Sequence, residues 1–280
     1  MRADCHMHMI LDGVDWKLAI HRHREKPDEQ FIREILGRYA ALGYTYLRDG
    51  GDRWGAGAKA RELAAQYNIT YRTPLSPLCR AGHYGSFIGT TFENLNAYAD
   101  LVIQQKSAGA DFIKIMISGL MDFNRFGVLT EEGLPPEEIR ELIHIAHEEG
   151  MAVMAHANGA ETVLAAAQAG VDSVEHGAYL NEEALLAMAE NGTVWVPTLS
   201  TIGNLVGTGR FPEGDVAQIL ESALINVARF SDLGGYLASG TDAGAWAVPH
   251  GSTTEEAYFA KAGVGEDVLA QGLAVIQTKF

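Results

Sequence analysis

The sequence predicts an α/β fold: a single (β/α)8 barrel of the TIM type, with residues 1–280 forming one domain. Three observations predict it. Short β-rich runs alternate with helical patterns eight times, the signature of βα units on a parallel sheet. A chain of 280 residues, 47% apolar and 20% charged, supplies one large core and matches the usual length of such a barrel. Residue types that carry chemistry recur at the C-terminal ends of the strand runs, where a barrel of this kind places its active site.

Taken in order, the first strand is expected over Arg2–Ile10. An amphipathic pattern over Phe31–Leu42 follows, and Gly43 sits where a left-handed cap ends a helix. Strand Tyr44–Asp49, helix Ala58–Tyr67 and strand Ile69–Leu75 continue the alternation. Helix Phe92–Ser107 leads to strand Asp111–Ile117, and helix Pro136–Glu149 stops at Gly150 before strand Met151–Ala157. Gly170 and Gly192 mark the helix ends before strands Ser173–His176 and Thr193–Thr198. Helix Val216–Leu233 precedes the eighth strand, Tyr236–Thr241. The loops after the first, third, fourth and eighth strands are long, so they are the expected substrate walls.

Composition narrows the partners. With 36 acidic against 21 basic residues the formal charge is −15, a field that repels phosphate backbones and excludes nucleic acid as a partner. Cys5 and Cys79 stand in no pairing motif, so no disulfide framework is implied. The start, MRADCHMHMILDG, lacks a basic n-region followed by an apolar h-region, and no apolar run reaches transmembrane length. A cytoplasmic protein acting on a small-molecule substrate, away from membranes, is the expectation, with a homo-oligomer left open.

The chemistry begins at Asp4-Cys5-His6-Met7-His8. Alternate residues of a strand share a face, so His6 and His8 project together as a clamp for a borderline metal such as zinc. His156 ends the fifth strand, His176 ends the sixth, and Asp242 lies just past the eighth. Four histidines and an aspartate at strand ends define a metal site. Lys114, on the fourth strand, needs its own reading, because an ammonium facing metal cations is electrostatically intolerable. Either the amine is neutral and distant, or its head escapes through the mouth, or it takes up carbon dioxide and becomes an anionic carbamate.

Together the segments DCHMH, YLRDGG, AGHYG, DFIKIMISG, AVMAHANG, SVEHGAYL, SGTDAG and PHGSTTEEAYFAKAGV resemble the amidohydrolase superfamily. Within it they resemble the metal-dependent Xaa-Pro dipeptidase and imidazolonepropionase-related group, over essentially the whole barrel. The resemblance implies that His6 and His8 hold one metal, that His156 and His176 hold a second, and that carboxylated Lys114 bridges them. Asp242 would ligate the first metal and act as the catalytic proton shuttle, and His83 would face the substrate as a second catalytic residue. The metals implied are two divalent ions, Zn2+ first, with Mn2+ or Fe2+ as alternatives. The pattern departs from the group in two places: the His-x-His motif begins at residue 6, without the small β-sandwich domain of the relatives, and Asn158 stands where peptidase-like relatives carry a tyrosine that binds the substrate carboxylate.

The activity so implied is hydrolysis of a C–N bond in an amide, cyclic or peptide-like, by a hydroxide bridging two metals. Asp242 would pass its proton to the leaving nitrogen. Tyr84, Arg125, Asn158 and Trp246, with His83, are the expected substrate contacts. Three alternatives compete: a lactonase or phosphotriesterase on the same two-metal site, a deaminase of an aminated heterocycle, and a non-catalytic metal-binding barrel. The deaminase is weakened because Ala157-Asn158 after His156 lacks the glutamate such enzymes use.

Overall fold

A computed structural model describes residues 2–280. Among the described residues, ten strands are interspersed with helices. Strand β1 (Arg2–Met7) is followed by helices α1 (Trp16–His23) and α2 (Glu29–Ala41), strand β2 (Tyr44–Asp49), helix α3 (Ala56–Ala64) and strand β3 (Thr70–Arg72). Strands β4 (Leu78–Arg80) and β5 (Thr90–Phe92) then precede α4 (Leu95–Ser107) and β6 (Ile113–Met116). The alternation continues through α5 (Pro136–Glu148), β7 (Val153–Ala157), α6 (Ala160–Gln168), β8 (Ser173–His176), α7 (Glu182–Glu190) and β9 (Val194–Val196). Helices α8 (Ser200–Gly203) and α9 (Glu213–Asp232), strand β10 (Tyr236–Leu237), and helices α10 (Thr254–Lys261) and α11 (Glu266–Lys279) complete it.

All named strand pairings are parallel. They form a three-stranded sheet, β1-β2-β3, and a seven-stranded sheet in the order β10-β9-β8-β7-β6-β4-β5. Backbone hydrogen bonds join the sheets on both sides. Cys5 N donates to Ser239 O at 2.8 Å, Asp242 N to His6 O and His8 N to Ala243 O at 2.7 Å, and Asp111 N to Thr73 O at 3.0 Å. Each of the eight expected strands overlaps an observed one. The pair β4–β5, inside the loop after the third expected strand, is additional.

Local sequence explains the helices. In α5, Ile139, Leu142, Ile143 and Ala146 recur at helical spacing and are all buried, and Pro136 opens the first turn, where its missing N–H costs nothing. Asp28 caps α2 by accepting from Phe31 N at 3.1 Å. Gly43, Gly150, Gly170 and Gly192 all adopt positive φ at the turns expected to end helices.

The core has two outer layers and a centre. Ile113, Ile115, Val153 and Val174 of the larger sheet pack under α4–α7, while Met7 and Leu47 of the smaller sheet pack under α2 and α3. Between the sheets, Cys5, Tyr46, Phe112, Met154, Val194 and Val196 form a third cluster, against which Ile276 and Phe280 close. This apolar plug fills the space beneath the strand ends and leaves chemistry to the other end. No helix among the described residues is long and apolar enough to cross a membrane.

Candidate metal centre and active-site cavity

The C-terminal ends of the strands surround a cavity of about 480 Å³. His6, His8, Lys114, His156, His176 and Asp242 all line it, coming from β1 and the residue after it, β6, β7, β8 and the loop after β10. His6, His8 and Asp242 each offer a ligand atom, all within 4.8 Å of one another. The two Nε2 atoms of His6 and His8 stand 3.4 Å apart, and Asp242 Oδ1 lies 3.6 and 3.3 Å from them. The rings of His156 and His176 are 4.5 Å apart between centroids, and His176 is 5.0 Å from His6. One continuous cluster of four histidines thus spans three strands, β1, β7 and β8.

Backbone geometry aims these side chains. His176 and Asp242 sit in the left-handed region, with φ of 69° and 57°. A non-glycine residue there is strained by roughly 1–3 kcal/mol, and such strain concentrates at functional sites. Gly50 clears space for a neighbour: a Cβ at that position would lie 2.2 Å from His8 Cε1.

Partners outside the cluster set the rings. His6 Nδ1 is 2.7 Å from Glu175 Oε2, a fully buried carboxylate. Its other oxygen accepts from Arg48 Nη2 at 2.8 Å and from Ser173 Oγ at 2.6 Å, and Arg48 Nε donates to Cys5 O at 2.7 Å. Held this way, His6 carries its proton on Nδ1 and points a bare Nε2 lone pair into the cavity. His176 Nδ1 is 2.7 Å from Thr198 Oγ1, and His156 Nε2 is 3.2 Å from Gly119 O.

Burial keeps the imidazoles neutral, the form that ligates a metal. It pushes His8 and His156 down to about 3 and holds His6 and His176 well below the usual histidine range, with Lys114 adding to each shift. Burial also lowers the Lys114 ammonium and raises the Asp242 carboxyl, each partly opposed by the other's charge. Lys114 Nζ, Asp242 Oδ1 and His8 Nδ1 are buried without a hydrogen-bond partner. An orphaned amine and an orphaned carboxylate oxygen beside four neutral imidazoles are polar groups that await a ligand. The donor set of nitrogens and oxygens fits divalent metal ions of the zinc type.

Of the expected substrate contacts, Tyr84, Asn158 and Trp246 line this cavity. Tyr84 lays its ring 4.8 Å from that of His156. Asn158 is fully buried and its amide is already engaged, donating to Gly119 O at 3.0 Å and accepting from Ala178 N at 2.9 Å. It latches the loops after β6 and β8 together. His83 and Arg125 do not line the cavity. Glu131 pairs with the His83 ring and accepts from Tyr84 N at 2.8 Å, so the half-buried His83 is engaged by its own loop's partner. Arg125 is exposed in a turn closed by its own N–H to Asp122 O at 3.1 Å.

Sequence reasoning missed the Glu175–Arg48 pair. Glu175 directly precedes His176 and shares a strand face with Ser173, a pattern that would have flagged it. The cavity walls come from the expected loops after the first, third, fourth and eighth strands, joined by Thr201, Leu205, Arg210 and Phe211 after the seventh. They are largely apolar: Trp16 meets Phe87 at 5.5 Å, Phe123 meets Phe211 at 5.4 Å, and Arg210 lies 3.8 Å over Trp246.

Parallel α/β layers thus carry a histidine–aspartate–lysine cluster at the strand ends, a donor set that could hold a metal ion. The model of the amidohydrolase family matches residues 65–254, and the chain belongs to that family. Ochratoxinase from Aspergillus niger is 27% identical over 236 residues, 71% of this chain and 47% of the relative. The chain therefore spans about half the length of that relative. Among solved structures, a Xaa-Pro dipeptidase with bound methionine superposes with a TM-score of 0.77 at 22% identity, covering 99% of this chain and 75% of the other. The A. niger ochratoxinase structure gives 0.75 at 24% identity, covering 96% and 68%. At these identities the likeness establishes a shared TIM-barrel-like α/β fold.

Proposed function

We propose that the chain is a metal-dependent amidohydrolase that cleaves a C–N amide bond at a binuclear centre in a closed (β/α)8 barrel. The observation that carries this reading is the set of six donors facing one cavity, with Lys114 Nζ and Asp242 Oδ1 buried and unpartnered. His6, His8 and Asp242 would hold one metal, and His156 and His176 the other. Lys114, whose lowered pKa makes the neutral amine accessible, would take up carbon dioxide and supply a carbamate oxygen to both. When bound, such metals supply an activated water and polarise the substrate carbonyl.

The chain's own residues do the rest. The Asp242 carboxylate, which would also help hold the first metal, would accept the proton of the attacking water and return it to the leaving nitrogen. Glu175 fixes the His6 tautomer. Tyr84, its ring tilted against that of His156, and the apolar walls exclude water and orient an apolar substrate. The hydrogen bonds that join the two sheets on both sides support barrel closure. The ochratoxinase and Xaa-Pro dipeptidase neighbours support an amide over an ester.

The test is elemental analysis of protein reloaded with zinc and bicarbonate, paired with a screen of N-acyl amino acids, dipeptides, lactams and lactones. Two metals per chain and amide turnover are expected. One metal or none, or turnover confined to lactones, would overturn the reading.

A further inference from the structure

Besides the buried Lys114, the wall of the cavity carries an arginine with no carboxylate partner among the described residues. Arg210 lines the cavity and lies 3.8 Å over the ring of Trp246 and 5.6 Å from that of Phe211. Among the described residues its guanidinium meets no carboxylate within 4.0 Å, although acids outnumber bases 36 to 21 in the chain. Both residues sit at the rim: Arg210 is exposed and Trp246 is 38% exposed. A guanidinium held over a ring, with no hydrogen bond from its side-chain nitrogens among the described residues, leaves those N–H groups free for a carboxylate, which they can bind bidentately.

Resting on the reading of this cavity as the substrate site, we propose that Arg210, braced on Trp246, is a specificity residue for a carboxylate. The carboxylate is carried on the apolar, distal part of the amide substrate. The two basic side chains among the expected substrate contacts, His83 and Arg125, do not line the cavity, and the Asn158 amide is spent on Gly119 and Ala178. Lys114, the other cavity lysine or arginine, is buried among the metal-site donors. The aromatic walls take the body of the substrate, and Arg210 takes its anionic end. The substrate class is therefore an aryl- or alkyl-bearing amide with a carboxylate remote from the scissile bond.

The test compares 4-phenylbutyrate with its neutral amide as ligands of the zinc-loaded protein, by calorimetry and tryptophan fluorescence, in wild type, Arg210→Gln and Arg210→Lys. Wild type is expected to prefer the carboxylate, and Arg210→Gln to lose about fivefold to tenfold of that preference, the range for an exposed charge-assisted contact. Arg210→Lys should retain part of it. A preference unchanged in Arg210→Gln would place the anion on the metals instead and overturn the proposal. Equal binding of both ligands, or binding of neither, would overturn it as well. Because no turnover is needed, a protein with Arg210-dependent binding and no amidase activity would sink the hydrolase reading alone.

Discussion

Replacing Glu175 by Gln removes one charge from a fully buried chain of contacts and changes almost no volume. Glu175 accepts from Arg48 at 2.8 Å and from Ser173 at 2.6 Å with one oxygen, and faces His6 Nδ1 at 2.7 Å with the other. A glutamine can present its carbonyl to Arg48 or to His6 but not to both, since its second head atom is an NH2 donor. If Arg48 keeps the carbonyl, the NH2 group faces His6 Nδ1, and the histidine is driven to carry its proton on Nε2, where the metal lone pair is needed. Breaking a buried ion pair by removing one partner costs about 3–5 kcal/mol, and Arg48 retains its bonds to Cys5 and Ser173, so we take the lower end. At about 2–4 °C per kcal/mol for a chain this long, the apo protein should melt roughly 6–12 °C lower. Metal affinity should fall by about 10- to 100-fold, the usual effect of losing a group that orients a ligand. Differential scanning calorimetry of chelated protein reads the first effect, and competition for zinc against a chromophoric chelator reads the second. Unchanged zinc affinity in a folded Glu175→Gln variant would refute the claim that this carboxylate sets the His6 tautomer.

Asp242→Asn should keep the fold and lose about 10²–10⁴-fold in turnover, measured by steady-state kinetics; a variant above a tenth of the wild-type rate would show the proton moves elsewhere. Lys114→Met should abolish retention of two metals yet stabilise the chelated protein by about 1–3 kcal/mol in denaturant melts, because it removes an orphaned buried amine. His250, buried and donating from Nε2 to Leu11 O at 2.9 Å, is pushed down to about 4. Its folded pKa is depressed, so the stability it contributes is present above about 6.5 and falls away as pH drops towards 4. At 1.36 kcal/mol per unit that loss is about 3 kcal/mol, and a stability–pH profile of His250→Asn should be flatter in this window.

The strands and the donors were legible because both follow periodic rules. His6 and His8 stand two apart on a strand, and His156, His176 and Asp242 close runs of apolar residues, so their common end of the sheet follows from βα alternation alone. Strands β4 and β5 were not legible: three residues each, set in a glycine-rich stretch, are too short to display a period. Arg48 and Glu175 lie 127 residues apart, and their pairing depends on strand order rather than on any local spacing. His83 and Trp246 illustrate the limits of reading loops. Trp246 lines the cavity and His83 does not, and each is engaged by a partner from another loop, Arg210 for the first and Glu131 for the second.

The left-handed backbone at His176 and Asp242 has a consequence for how this protein can change over time. Aspartate and histidine enter that conformation more readily than most side chains, yet both carry a backbone cost there that glycine would not. Drift towards glycine at 176 would make the polypeptide sturdier while stripping a ligand from its centre. Durability and chemistry therefore pull this position in opposite directions, as they do at Lys114. A library selected only for heat resistance in the presence of chelator should accumulate replacements at these two positions before it touches the plug formed by Cys5, Phe112 and Val196. The same library grown with zinc, and selected for turnover, should leave both untouched.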